Sequence, residues 1–187
     1  MTVPAGSRKV GAGRDRLVLH TARDGMAASA GHDLTIEVTR WSGQLTVGED
    51  ATPTALDVKI DMTSLTVREG TGGLKPLTDR DRRDIASSAR KVLGADRHPE
   101  ASFSATKFEP GAGGGGTITG TLTLAGQSQP IKLQVSETAS DSYHATTQVV
   151  QTSFGIKPYG GFFGALKVRD AVDVDVDVDL SQREGAS

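Results

Sequence analysis

The chain has 187 residues, a formal net charge of −2 and no cysteine. That length suits one domain with a proper core, and the charge balance is wrong for a nucleic-acid binder, which needs a basic surplus. Zero cysteines exclude disulfides, thiolate metal sites and a cysteine nucleophile, and no stretch approaches the ~18 apolar residues of a membrane-spanning helix.

At the start, Arg8 and Lys9 are followed by Val10-Gly11-Ala12-Gly13, not by the apolar run of about 7–15 residues that a secretory signal needs. Residues 1–13 therefore read as a disordered leader, 14–182 as a single domain and 183–187 as a tail. A cytoplasmic location is the expectation.

A first strand is expected over Arg16–Thr21. Leu34, Ile36 and Val38 then alternate with Thr35, Glu37 and Thr39, the period of a half-buried strand. Trp41-Ser42-Gly43 leads into Gln44–Val47, and Gly43 is read as a bulge joining two halves of one strand. Leu56, Val58, Ile60 and Met62 alternate with Asp57, Lys59 and Asp61.

The next segment changes period. Thr78 with Asp81 three residues later resembles a capping box, and Gly94 is placed to close a helix. Between them Ile85, Ala86, Ala89, Val92 and Leu93 share one helical face, so a single helix is expected over Asp79–Leu93. Pro99 returns the chain to extended form.

Strands are then expected over Ala101–Phe108, Thr117–Leu124, Ile131–Val135 and Tyr143–Gln151. The last is the clearest, with Val172, Val174, Val176, Val178 and Leu180 set against Asp173, Asp175, Asp177 and Asp179. The valines should face inward and the aspartates outward. Turn-rich segments separate the strands, among them Gly48–Pro53, Gly111–Gly116 and Ala125–Pro130. The sum is an all-β domain of about eight antiparallel strands with one inserted helix.

Little of this carries chemistry. The four histidines, His20, His32, His98 and His144, form no metal-ligand spacing. Aspartates two apart on a straight strand lie ~6.6–6.8 Å apart and cannot wrap one calcium ion. Gly111–Gly116 lacks the Lys-Ser/Thr ending of a phosphate loop and reads as a flexible hairpin turn. No Gly-x-Ser-x-Gly or Ser-x-x-Lys motif is present. No catalytic residue, metal or cofactor is expected.

Charge is uneven. From Arg68 to Arg97 there are eight basic and five acidic residues, whereas Arg169 to Glu184 holds two basic and six acidic. The helix region thus offers counter-charge to an anionic head group or a membrane surface; a plain solvated helix face is the other reading.

Four motifs in order carry a resemblance. Gly31-His32-Asp33-Leu34 precedes Trp41-Ser42-Gly43, and His98-Pro99-Glu100-Ala101-Ser102-Phe103 follows the helix. Gly120-Thr121-Leu122-Thr123-Leu124-Ala125-Gly126 runs on through Gln129-Pro130-Ile131-Lys132-Leu133, and Ser153-Phe154-Gly155-Ile156 comes late. From about Leu17 to Leu180 the chain resembles the YceI-like family of polyisoprenoid-binding proteins. The resemblance implies an eight-stranded, lipocalin-like antiparallel barrel with an inserted helix. It also implies non-enzymatic binding of a long apolar lipid, a polyisoprenoid or isoprenoid quinone, in the lumen. Many members begin with a signal peptide, and many carry an arginine where this chain has Gln151.

On such a barrel the inward, ligand-binding candidates are Leu34, Ile36 and Val38, then Leu56, Val58 and Ile60, with Phe103, Leu122 and Leu124. Ile131, Leu133, Val174 and Val176 extend the set, and Phe154, Ile156, Phe162 and Phe163 belong near a mouth or loop. Eight strands enclose either a filled interior or one small ligand. A filled structural or stress-related barrel is therefore the first alternative, and an enzyme using His32 or His98 the second. Transient membrane-surface contact and a homodimer both remain open as partnerships.

Overall fold

The period-two alternation becomes strands throughout the computed structural model, which describes residues 5–181. Strands β1 (Gly6–Gly11), β2 (Arg16–Thr21), β3 (Arg23–Asp24), β4 (Asp33–Val38), β5 (Trp41–Val47), β6 (Pro53–Asp61) and β7 (Leu65–Thr71) precede helix α1 (Asp79–Val92). After it come β8 (Glu100–Pro110), β9 (Gly116–Leu124), β10 (Gln127–Ala139), β11 (Ser142–Val150), β12 (Gly160–Gly161), β13 (Leu166–Val168) and β14 (Ala171–Asp179).

Eleven strands form one curled antiparallel sheet in the order β1-β5-β6-β8-β9-β10-β11-β14-β2-β4-β7. The expected count of eight is corrected to eleven, for a reason the register makes plain. β1 and β2 both pair with the segment β4–β5, as Gly11 opposite Ser42 and Val18 opposite Glu37. β6 and β7 pair with its other side, as Trp41 opposite Ile60 and Val38 opposite Leu65. Three long strands are thus each broken once, at residues 12–15, 39–40 and 62–64. Because β4 runs straight on into β5, the two ends of the hydrogen-bonded order meet along that one segment. The sheet wraps around an interior like the wall of a barrel.

Each break has its own chemistry. The Asp15 carboxylate is buried and accepts the backbone N–H groups of Gly11 (2.7 Å) and Asp179 (3.0 Å), which ties β1 to the end of β14. At the second and third breaks the buried Ser64 hydroxyl accepts from the Arg40 N–H at 3.0 Å and donates to the Asp61 carbonyl at 2.7 Å. Arg40 Nε reaches the Asp61 carboxylate at 2.8 Å. Hydrogen bonding from Thr63 holds that carboxyl below its ordinary range, with Arg40 acting in the same direction.

Two further expectations are corrected. The leader is not disordered over Gly6–Gly11, which pairs along β5 and buries Val10; Val10 is one apolar side chain among glycines and charges, too weak a pattern to announce a strand. Gly43 is no bulge but sits in register between Val10 and Val58, where an added Cβ would lie 2.7 Å from the Asp57 carbonyl oxygen. Residues 1–4 of the expected leader and residues 183–187 of the expected tail lie outside the described residues.

The helix forms where its period and caps dictate. Thr78 Oγ1 accepts the Asp81 N–H while the Asp81 carboxylate accepts the Thr78 N–H at 2.8 Å. Hydrogen bonding from Thr78 keeps the Asp81 carboxyl low. Gly94, with φ at 64°, terminates the helix one residue past Leu93. α1 packs beside β7, which has no strand on its far side among the described residues. Ala86 is buried there, and Ile85, Ala89 and Leu93 join the cluster around Ile36, Val38, Trp41 and Leu65.

Candidate functional site

Inside the curled sheet lies a cavity of about 830 Å³. All eleven strands of the sheet and α1 contribute to its wall. The alternation explains the composition: on β14 every valine from Val172 to Val178 lines the cavity, while the intervening aspartates lie on the outer face. There Asp175 accepts from His20 Nε2 at 2.8 Å and Asp177 pairs with His144 Nδ1 at 2.7 Å. Those histidines are therefore outside the barrel.

Most expected inward residues converge on the cavity. Leu34, Ile36, Val38, Leu56, Val58 and Ile60 line it, as do Phe103, Leu122, Leu124, Ile131, Leu133, Val174 and Val176. The Phe103 ring lies over Gly120, where a Cβ would stand 2.6 Å from it. The residues expected near the mouth behave differently. Phe154 and Ile156 are buried at 2 % and 4 % exposure in the cluster with Met62, Phe103 and Leu124, and do not reach the cavity. Phe163 projects into solvent. Phe162 opens a short 3-10 turn, and its side chain lies outside the described residues.

The residues that sequence reasoning missed come from the breaks and the lid. Leu17, Leu19, Trp41, Leu45 and Leu65 line the cavity. From α1 and its C-cap, the apolar stripe Ile85, Ala89, Val92 and Leu93 does too. That stripe was legible as one helical face, but nothing in the sequence says which wall it meets.

Polar lining is sparse and gathers at the ends, apart from Thr147 and Trp41, whose indole N–H is buried with no hydrogen-bond partner among the described residues. Thr147 Oγ1 is already committed to the Lys132 carbonyl at 2.9 Å. One end is built from the tight turns 48–52, 109–117 and 137–142, and contributes Thr52, Glu109, Thr117 and Tyr143. Burial, with Glu137 and Asp141 nearby, pushes the Tyr143 phenol up from its ordinary value, so it stays neutral.

The other end is closed by α1, by the loop around Arg23–His32 and by residues 151–168. It contributes Thr21, Arg23, His32, Asp84, Ser88, Gln151, Tyr159 and Lys167. Here β12, β13 and β3 form a separate three-stranded sheet. Arg23 is held in place: its Nη1 donates to the Gly31 carbonyl at 2.8 Å and its Nε lies 3.6 Å from Asp33. His32 Nε2 donates to the Lys75 carbonyl at 2.8 Å. Gln151 is buried, and its amide donates to the Arg169 carbonyl at 3.0 Å, a structural use. No group of three or more His, Asp or Glu residues able to hold a metal is found among the described residues. No helix of the described residues is long and apolar enough to cross a membrane.

A mostly apolar chamber with its polar groups gathered toward the ends can hold an apolar guest. Comparison with known proteins fits that picture. A family profile described as a YceI-like domain matches residues 18–180. The crystal structure of BcnA from Burkholderia cenocepacia superposes with a TM-score of 0.62 at 14% identity, covering 88% of this chain and 94% of that one. The YCEI protein of Campylobacter jejuni superposes at 0.61 and 17% identity, covering 80% and 85%. A mutant of the C. jejuni protein, crystallised with a monobromobimane guest, gives the same values. At such identities the likeness concerns the fold. Among curated proteins no match was found.

Proposed function

This chain belongs to the YceI-like domain family, and from that premise we propose that its barrel carries one long apolar lipid, a polyisoprenoid or isoprenoid quinone, without chemical conversion. The observation that carries the reading is the 830 Å³ cavity with its aliphatic wall. At the ~0.74 packing of protein interiors, that volume accommodates about 600 Å³ of ligand, roughly 35 methylene-sized carbons. Sequestering about 600 Å² of such a tail at about 25 cal/mol per Å² supplies about 15 kcal/mol, against association costs of about 4–15 kcal/mol.

Selectivity then comes chiefly from tail length and lumen shape, because the wall between the two ends is mostly aliphatic. The head group sits at the end that holds Arg23, Tyr159 and Lys167. The size of the cavity favours a carrier over a filled structural barrel. His32 and His98 do not support an enzyme: the first is hydrogen-bonded to a backbone carbonyl, and the second packs against Gly126 on the turn after β9.

Cytoplasmic residence is part of the proposal. Finding the protein in an extracytoplasmic fraction overturns it.

Narrowing the lumen tests the function. Val58→Phe and Leu133→Trp, combined, should reduce uptake of a fluorescent prenol at least severalfold while far-ultraviolet circular dichroism stays unchanged. Unchanged uptake in the folded variant contradicts lumen binding.

A further inference from the structure

The large apolar side chains left in water are not scattered. Among the described residues they are Met26 (97 % exposed), Leu74 (80 %), Phe163 (113 %), Tyr159 (45 %) and Val150 (37 %). Every one lies at the α1 end of the barrel, and none at the end formed by the three tight turns. The segments that bear them touch one another. The Ala27 N–H donates to the Ala165 carbonyl at 2.9 Å, which joins the Met26 loop to the Phe163 turn. The turn before Leu74 rests against Arg23 and His32, since Cβ atoms at Gly72 and Gly73 would fall within 2.0 Å and 2.4 Å of those side chains. Val150 ends β11 beside Ala171, next to the same segment.

Phe163 is unusual in backbone as well as exposure. Its φ of 54° is the left-handed region, where a bulky side chain is disfavoured. The fold accepts that cost and obtains no burial of the ring among the described residues in return.

The charges around it have one sign in excess. Segments 22–33, 72–77 and 155–170 hold five basic residues and three acidic, and α1 adds five basic and three acidic. Lys75, Lys157, Lys167 and Arg169 are exposed and form no ion pair among the described residues. At the opposite end, turns 48–52, 109–117 and 137–142 hold five acidic residues and no basic one.

We infer that the α1 end is a docking rim for an anionic lipid bilayer, with Met26, Leu74 and Phe163 entering the interface and the surrounding lysines and arginines facing its head groups. Interfacial binding takes two signals, apolar insertion and charge attraction, and both are present on one rim. The rim also borders the cavity residues Arg23, His32, Tyr159 and Lys167, so a lipid could pass between bilayer and lumen without crossing water. The inference deepens the carrier reading and rests on it for its purpose, but it is measured separately.

The experiment is flotation of the purified protein with vesicles of phosphatidylglycerol and phosphatidylcholine in equal parts, and with phosphatidylcholine alone. The protein should float with the anionic vesicles, and less so as salt is raised. Met26→Ser/Leu74→Ser/Phe163→Asn should weaken that binding by roughly tenfold or more; asparagine is chosen because it tolerates the left-handed backbone. These positions are exposed, and circular dichroism checks that the variant is folded. Lys75→Gln/Lys157→Gln/Lys167→Gln should remove the preference for anionic vesicles. A protein that does not float, or a folded triple variant that floats like the parent, overturns the inference. Uptake of a fluorescent prenol added from ethanol, without vesicles, is read in parallel. Flotation without uptake keeps the docking rim and removes the carrier, whereas uptake without flotation does the reverse.

Discussion

The two ends of the barrel are built on different physics. At one end successive strands are joined by the turns 48–52, 109–117 and 137–142 around a single rim, and these three carry only acidic charge. Polar, acidic turns repel an anionic surface and bury little. At the other end the wall strands give way to a helix, a three-stranded flap and loops, and there the apolar side chains stand in water. Turns between hydrogen-bonded strands build the first end; side-chain packing and a few capping bonds hold the second.

The largest disturbance comes from a charge placed in the space both ends share. Val174→Asp should lower stability by roughly 3 kcal/mol in denaturant unfolding and abolish lipid uptake, because a carboxylate would enter an apolar lumen. If the loss is no greater than for Asp173→Ser on the outer face, the assignment of faces on β14 is wrong.

Next in size is the seam on the turn-built side. Asp15→Ala leaves the Gly11 and Asp179 N–H groups without their buried acceptor and should cost about 2 kcal/mol. Vesicle flotation at the opposite rim should be unchanged. A loss of flotation in the folded variant would show that the ends are not independent.

The lid yields a smaller effect of sharper address. Thr78→Ala removes the capping box and should cost about 1 kcal/mol. Amide exchange should quicken over residues 79–92 while β9 and β10 keep their protection. Uniform acceleration would mean that the helix unfolds only with the barrel.

Acid gives the smallest. The folded Asp81 carboxyl lies below the ordinary aspartate value of 3.8. Its contribution is therefore complete above that value and is lost as pH falls through the lower, folded one. Helix exchange should quicken only on descending below about 3.8; quickening already near pH 5 would point to another group.

Much of the fold was legible because strands with one buried face write their period into the sequence. The valine–aspartate alternation of β14 and the capping box of α1 are the plainest cases. β1 was hidden because Ser7, Arg8 and Lys9 show no inward row, and its partner β5 supplies the pairing. The three breaks were hidden because Asp15, Ser64 and Arg40 act through backbone groups brought near by folding. At the candidate site, aliphatic strand positions led correctly to the cavity wall. The expected mouth residues did not, since Phe154 and Ile156 look the same in sequence whether they fill a core or line a mouth. The exposed row of Met26, Leu74 and Phe163 comes from three distant segments, and only the tertiary contacts assemble it.

The central claim is that the lumen carries a long apolar lipid, and native mass spectrometry of the protein purified without detergent reads this directly. The account predicts one adduct per chain, released by organic extraction as an isoprenoid of roughly 35 carbons or its near neighbours, as lumen packing allows. A chain free of adducts that also refuses added prenol, or one holding a polar guest, would contradict it.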